Sequence, residues 1–221
     1  MRSRRVPPPP APLSLPHIRA RCKTEPGDPF SGLAGSFFCG LCSAADPFHI
    51  VGLFAATLPT AEGAVQLALE ELSSTLHGAQ VLILGFGRVG RLTAHRMAAL
   101  GARVTVAARE YGELAWAAAY GCGTVGLEDL NWELGAFSLI VNTIPAPVLD
   151  EKRLAWVNPD AYLLDLASAP GGIDRTAARA RGLRVTQAPG LPGRTAPVTA
   201  AAAIRDAVYH ILREEEALRH G

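Results

Sequence analysis

The stretch Gln80 to Gly90, read QVLILGFGRVG, constrains the fold more than any other part of the chain. Val81, Leu82, Ile83 and Leu84 form a short apolar run that reads as a buried strand. Gly85-Phe86-Gly87-Arg88-Val89-Gly90 then fits G-x-G-x-x-G and opens an amphipathic run through Leu100. In such a turn the first glycine lets the chain bend sharply off the strand. The second lets backbone approach a pyrophosphate, and the third lets the helix pack close to the sheet. The unpaired N–H groups of the helix's first turn face the diphosphate, and the helix dipole favours its negative charge. The strand before the glycines and the helix after them supply the context that the motif alone lacks.

The rest of the chain repeats that alternation. Val89, Leu92, Arg96 and Leu100 mark the first crossover helix, with Gly101 as its C-terminal cap. Further strands are expected at Arg103–Ala107, Thr124–Val125, Leu139–Asn142, Tyr162–Leu166 and Leu183–Thr186. Helices are expected at Glu113–Tyr120, Arg175–Arg181 and Thr199–Leu218, and residues 127–134 read as a loop with a helical turn. The pattern implies an α/β fold of Rossmann type: a doubly wound parallel sheet in the order 3-2-1-4-5-6. Upstream, Thr60 and Glu62 open a bridging helix over residues 60–76, with Val65, Leu69, Leu72 and Leu76 on its apolar face.

Residues 1–58 differ from this. Rich in Pro, Arg, Ser and Gly and without a sustained period, they read as an irregular N-terminal segment, with a short apolar helix near His49 to Ala56. The Rossmann domain with its bridging helix is then residues 59–221. Arg2, Arg4 and Arg5 precede prolines and not the apolar core of a secretory signal, and the apolar stretch from Leu33 to Leu58 is interrupted by Asp46-Pro47 and glycines, which argues against a membrane span. A net charge of +1 argues against a nucleic-acid binder. Cys39 and Cys42 have C-x-x-C spacing, but only Cys22 and His49 lie nearby, at irregular spacing. Free thiols in a reducing cytosol are expected, and no metal.

The end of the second strand bears on the choice between NAD and NADP. An NAD site usually places Asp or Glu there for the ribose 2′-OH. This chain has Ala107-Ala108-Arg109-Glu110. A small residue followed by arginine leaves room for a 2′-phosphate and gives it a bidentate partner, with Arg88 as a second cation. NADP is favoured. The other reading, with Glu110 on the ribose, keeps NAD open. Asn142-Thr143-Ile144-Pro145, Asp165-Leu166-Ala167-Ser168 and Pro189-Gly190-Leu191-Pro192-Gly193 leave the carboxyl ends of later strands, where open α/β sheets bind ligands. Candidate cofactor residues are therefore Gly85, Phe86, Gly87, Arg88, Val89, Gly90, Ala108, Arg109, Glu110, Asn142, Thr143, Ile144, Asp165, Leu166, Ala167, Pro189 and Gly190. Thr143 serves equally well as a loop cap, and Asp165 suits tying down backbone N–H groups. The Pro-Gly-Leu-Pro-Gly loop suits the edge of a nicotinamide pocket or a rigid turn alone.

Taken together, these segments resemble the A-subunit family of dipicolinate synthase. The similarity runs through Pro59-Thr60-Ala61-Glu62-Gly63-Ala64, the glycine turn, Ala108-Arg109-Glu110, Asn142 to Ala146, Asp165 to Ser168 with Pro170-Gly171-Gly172, and Pro189 to Gly193 with Ala196-Pro197. It implies an NAD(P)-dependent oxidoreductase that oxidises a dihydrodipicolinate to the aromatic dicarboxylate during sporulation. It also implies an oligomer, the mother-cell cytoplasm as location and, as partner, a flavoprotein-like B subunit. Two departures stand out: residues 1–58 do not resemble the N-terminal domain of that family, so that domain reads as missing or replaced, and Ala169 and Val198 stand where the family usually has lysines.

A dianionic substrate needs cations, and Arg194, just after the Pro-Gly-Leu-Pro-Gly run, is the candidate. No catalytic acid or base is identified: His77 and His95 sit at helix positions that do not face the strand ends, and Tyr111 and Trp116 read as packing residues. Two rival readings stay open. One is another two-domain dehydrogenase of shikimate or alanine dehydrogenase type. The other is a truncated cofactor-binding subunit that does not turn over alone.

Overall fold

The computed structural model of the chain describes residues 47–220. Residues 1–46, with Cys22, Cys39 and Cys42, lie outside the described part. The described part opens with helix α1, Pro47–Glu71, and continues with β1, Gln80–Leu84, and α2, Arg88–Ala99. Next come β2, Arg103–Ala108, α3, Tyr111–Ala119, and β3, Gly123–Gly126. A 3₁₀ turn at Trp132–Ala136 leads to β4, Leu139–Asn142, then α4, Glu151–Leu154, and β5, Tyr162–Asp165. The chain closes with α5, Arg175–Ala180, β6, Arg184–Gln187, α6, Leu191–Thr195, and α7, Pro197–His220.

All six strands pair parallel in the order β3-β2-β1-β4-β5-β6, as the strand and helix alternation implies. Parallel strands need crossovers, so both faces are covered. On one side Val81, Ile83, Val106, Val141 and Leu164 meet Ala94 and Met97 of α2, Ala117 of α3, and Ala64 and Ala68 of α1. On the other, Leu82, Leu84, Ile140 and Leu163 meet Leu134 of the 3₁₀ turn, Leu154 of α4 and Ala178 of α5. The register puts Leu84 level with Ala107 and Asn142, and Asn142 level with Asp165, so the strand ends form one rim.

The largest departure from expectation is α1. It begins before residue 58, runs through Pro59 and stops at Glu71 instead of Leu76. Its buried face agrees in part: Val65 and Leu72 pack against the core and Leu76 lies in it just past the helix, but Leu69 does not. Ala61, Ala64 and Ala68 are fully buried and Leu69 is 57 % exposed. Small residues win because α1 is squeezed against other helices. A Cβ on Gly63 would come within 2.6 Å of Leu191 Cγ on α6, too close for van der Waals contact. Two short helices escaped the sequence pattern altogether. Asp150 caps α4 by accepting from Arg153 N at 2.9 Å, and α6 forms from what reads as a rigid loop, with Gly190 in the left-handed region at φ 65°. His77 lies beyond α1, against Gly101, not on a helix.

Candidate nucleotide site

The three glycines of the turn have three different surroundings. Gly85 has φ 90°, a conformation side chains resist, and a Cβ there would meet Ile144 Cγ1 and Thr143 Oγ1 at 2.8 Å. A Cβ on Gly90 would strike the Gly85 carbonyl. Gly87 differs: nothing lies within 4 Å of where its Cβ would be, and it is exposed at the mouth of α2. Two glycines are thus required by close packing inside the protein, and the third borders free space, as a cradle for a diphosphate demands. The turn is pinned from β4, where the Thr143 hydroxyl donates to Leu84 O at 2.8 Å. The residues therefore fit a dinucleotide. The α2 amides would take its phosphates.

A cleft of about 530 Å³ opens in front of this corner. It gathers Gly85, Phe86, Gly87, Arg88 and Val89 with Ala108, Arg109 and Glu110 from the end of β2 and Thr143 and Ile144 from the end of β4. Thr57 and Thr60 of α1 and Pro192 of α6 form its far wall. Neither threonine figures in the motif. Only the tertiary docking of α1 brings them there. Arg109 and Glu110 are both exposed, and Glu110 occupies the N-cap of α3 without a side-chain hydrogen bond to it.

A second cavity, about 460 Å³, adjoins the first through Thr60 and Pro192. Leu166, Ala167, Ser168, Gln187, Pro189 and Gly190 line it. None of the residues lining it is charged. Arg194 is exposed on α6 and lines neither cavity, so the structure does not bring it to the site as expected.

Asn142, Asp165 and Gly90 are also absent from the walls. Asn142 is fully buried and Asp165 is 1 % exposed. Asp165 accepts from Asn142 Nδ2 at 2.8 Å, Ala167 N at 3.1 Å and Gly172 N at 2.9 Å. Asn142 in turn donates to Ile144 O and accepts from Ile144 N. Both side chains hold the loops from below. The low-lying glycines are part of the same arrangement, since a Cβ on Gly172 would come within 2.7 Å of Ile144 O. Among the described residues no three His, Cys, Asp or Glu side chains are placed to hold a metal, and no helix is long and apolar enough to cross a membrane. Tyr111, expected to pack, is 85 % exposed, whereas Trp116 stacks on Tyr120 with centroids 6.1 Å apart.

Comparison with known proteins agrees with this architecture. The family model of the D-isomer specific 2-hydroxyacid dehydrogenase NAD binding domain matches residues 55–177. The A subunit of dipicolinate synthase from Bacillus subtilis (strain 168) is 38 % identical over 161 residues, which are 73 % of this chain and 54 % of that protein. The crystal structure of the same subunit from Bacillus subtilis superposes with a TM-score of 0.73 at 36 % identity, over 76 % of this chain and 56 % of that one. The A subunit from Bacillus halodurans gives 0.72 at 39 % identity, over 74 % and 56 %. A transhydrogenase from Sinorhizobium meliloti, 18 % identical with a TM-score of 0.65 over 74 % of this chain and 55 % of that one, shares the fold. The chain spans about half the length of the curated relative it matches.

Proposed function

Since the chain belongs to the family of D-isomer specific 2-hydroxyacid dehydrogenase NAD binding domains and is similar to the A subunit of dipicolinate synthase, we propose that it is the NADP-binding part of a dipicolinate synthase-type oxidoreductase. The observation that carries this reading is the contrast between Gly87, bordered by open space, and Gly85 and Gly90, which have none. In it the amides at the start of α2 hold the diphosphate, and Arg109, with Arg88 nearby, grips a 2′-phosphate beside the small Ala108. Ile144 and Thr143 flank the path toward the second cavity, where Ala167, Pro189 and Gly190 edge the nicotinamide. When bound, the cofactor supplies a hydride acceptor. The protein orients the two partners and excludes water between them.

The substrate in this reading is a dihydrodipicolinate-like dicarboxylate, whose oxidation is driven by aromaticity. The reading includes a B-type flavoprotein partner, an oligomeric assembly and a role in sporulation in the mother-cell cytoplasm. One observation favours a second reading, a cofactor-binding subunit that needs another wall for turnover. The cavity next to the nicotinamide end is lined by no charged side chain, so in this reading cations for a dicarboxylate come from outside that lining.

Calorimetry with NADPH and NADH tests the first reading. NADPH should bind at least tenfold tighter, about 1.4 kcal/mol, and Arg109→Ala should erase the difference. Equal affinities in both proteins would overturn the choice of NADP, and no binding of either would overturn the site. Turnover of the purified chain with and without a B-type partner separates the active subunit from the second reading.

A further inference from the structure

We propose that a third cavity, on the outer side of α2, binds a small planar aromatic carboxylate and communicates with the dinucleotide cleft through Phe86. The cavity holds about 380 Å³ and lies between α2 and the end of α3. Phe86, Leu92 and Ala94 give it apolar lining, and Tyr120 lies beside Phe86 with ring centroids 6.5 Å apart. Arg91, His95 and Arg96, all from α2, line it as well. An apolar lining that also carries two guanidinium groups and an imidazole suits a flat ring bearing a carboxylate. A neutral hydrocarbon would leave the guanidinium groups unused, and a bare inorganic anion would leave the apolar lining uncovered.

The negative groups nearby do not cancel these donors. Glu62 of α1 approaches Arg96 at 3.7 Å, but both side chains are substantially exposed, and such pairs contribute little. Cys122 also lines the cavity, and burial pushes its thiol up, away from the thiolate.

Phe86 lines this cavity and the dinucleotide cleft alike. The Arg91 guanidinium sits 5.4 Å over its ring, and Arg91 Nε donates to the Phe86 carbonyl at 2.8 Å. Arg91 therefore tethers the second residue of the glycine turn. A carboxylate that recruits Arg91 weakens that tether, so it loosens the turn and lowers dinucleotide affinity. Coupling is reciprocal: bound dinucleotide weakens carboxylate binding by the same factor. The coupling, though not the cavity, rests on the function proposed above.

Trp116, stacked on Tyr120, is the reporter. Benzoate and pyridine-2,6-dicarboxylate are titrated into the full chain carrying Trp132→Phe and Trp156→Phe, so that emission comes from Trp116, with and without NADP⁺. A saturable change is expected with at least one probe, with its midpoint raised threefold or more by NADP⁺. Arg96→Glu should weaken the probe tenfold or more and leave NADP⁺ affinity in the absence of probe unchanged. Tyr120→Leu, with Trp116 replaced as reporter by the His95 resonance, should do the same. At high probe concentration the apparent NADP⁺ affinity should level off. Tighter binding of the pyridine compound assigns the natural ligand to the product class of the proposed reaction, and tighter binding of benzoate to other aromatic acids. The proposal is overturned if neither probe binds at millimolar concentration, if both variants bind as the parent does, or if the loss of NADP⁺ affinity grows without limit, which means direct competition in the cleft. Intact NADP⁺ binding without probe binding sinks this proposal alone. Probe binding without NADP⁺ binding sinks the cofactor reading and the coupling, and leaves the cavity.

Discussion

The Asn142 carboxamide donates to Asp165 Oδ1 across 2.8 Å, side chain to side chain, beneath the ends of β4 and β5. Neither residue lines the cleft or the cavity beside it. The pair nevertheless decides the shape of the cleft floor, because each side chain also binds the backbone of the loop that leaves its strand.

Asp165→Asn keeps the volume but turns one acceptor oxygen into a donor that must face Asn142 or a backbone N–H. The variant should lose about 2–3 kcal/mol of stability in urea unfolding, since a buried group is left unsatisfied. Loss of less than about 0.5 kcal/mol, the range of an unremarkable surface change, would contradict the network.

The glycine turn separates folding from binding. Gly90→Ala places a Cβ against the Gly85 carbonyl and should cost about 1–3 kcal/mol as overpacking. The Cβ that Gly87→Val adds has no protein atom within 4 Å, so the variant's unfolding midpoint should stay near that of the parent. Its dinucleotide affinity should fall at least tenfold, about 1.4 kcal/mol. Similar midpoints for the two variants, or nucleotide affinity preserved in Gly87→Val, would contradict this division.

Helix α1 offers a reversal of the ordinary expectation for hydrophobic residues. Leu69→Ala should change stability by about 0.5 kcal/mol or less, because the side chain is already in solvent. Ala68→Leu should cost about 1–3 kcal/mol by forcing volume into a filled helix crossing. Thermal unfolding of the two variants compares them directly.

Alkaline pH should weaken the fold through Tyr162. Burial lifts its phenol above the ordinary 10.0 and outweighs the Thr186 hydroxyl, which acts in the opposite sense. That hydroxyl does not complete a bond by geometry: the phenol oxygen is buried without a partner. The neutral phenol is thus favoured in the fold, and an unfolded chain gives up the proton first. Its stabilising contribution is present below pH 10.0 and is lost as pH rises through the folded value. Tyr162→Phe should flatten this part of the pH–stability curve while leaving stability near pH 7 within about 1 kcal/mol, because no hydrogen bond is lost. An unchanged alkaline limb would exclude Tyr162 as its source.

Much of the fold was legible because its signals are local. An apolar run cannot remain exposed, and a glycine at φ 90° leaves little alternative to a sharp turn. The strands at Gln80–Leu84, Arg103–Ala108 and Leu139–Asn142 fall within a residue of their expected bounds. The helices at Glu151–Leu154 and Leu191–Thr195 were not legible, since each is about one turn long and too short to show a period. Leu69 falls outside the inward face of α1, and Ala61, Ala64 and Ala68 fill it, for another reason. Periodicity marks where large apolar side chains recur, whereas a close helix crossing selects small ones.

By itself the sequence determined the layered parallel sheet, its strand order, and the corner at Gly85 to Gly90, because backbone freedom and apolar runs act over a few residues. Only the tertiary structure decided which polar side chains reach the cleft. Asn142 and Asp165 turn beneath it, Arg194 stays outside it, and Thr57 and Thr60 enter it from a helix well upstream of the glycine turn. Side-chain direction at a strand end depends on what packs above and below, and that is settled by elements distant in the chain.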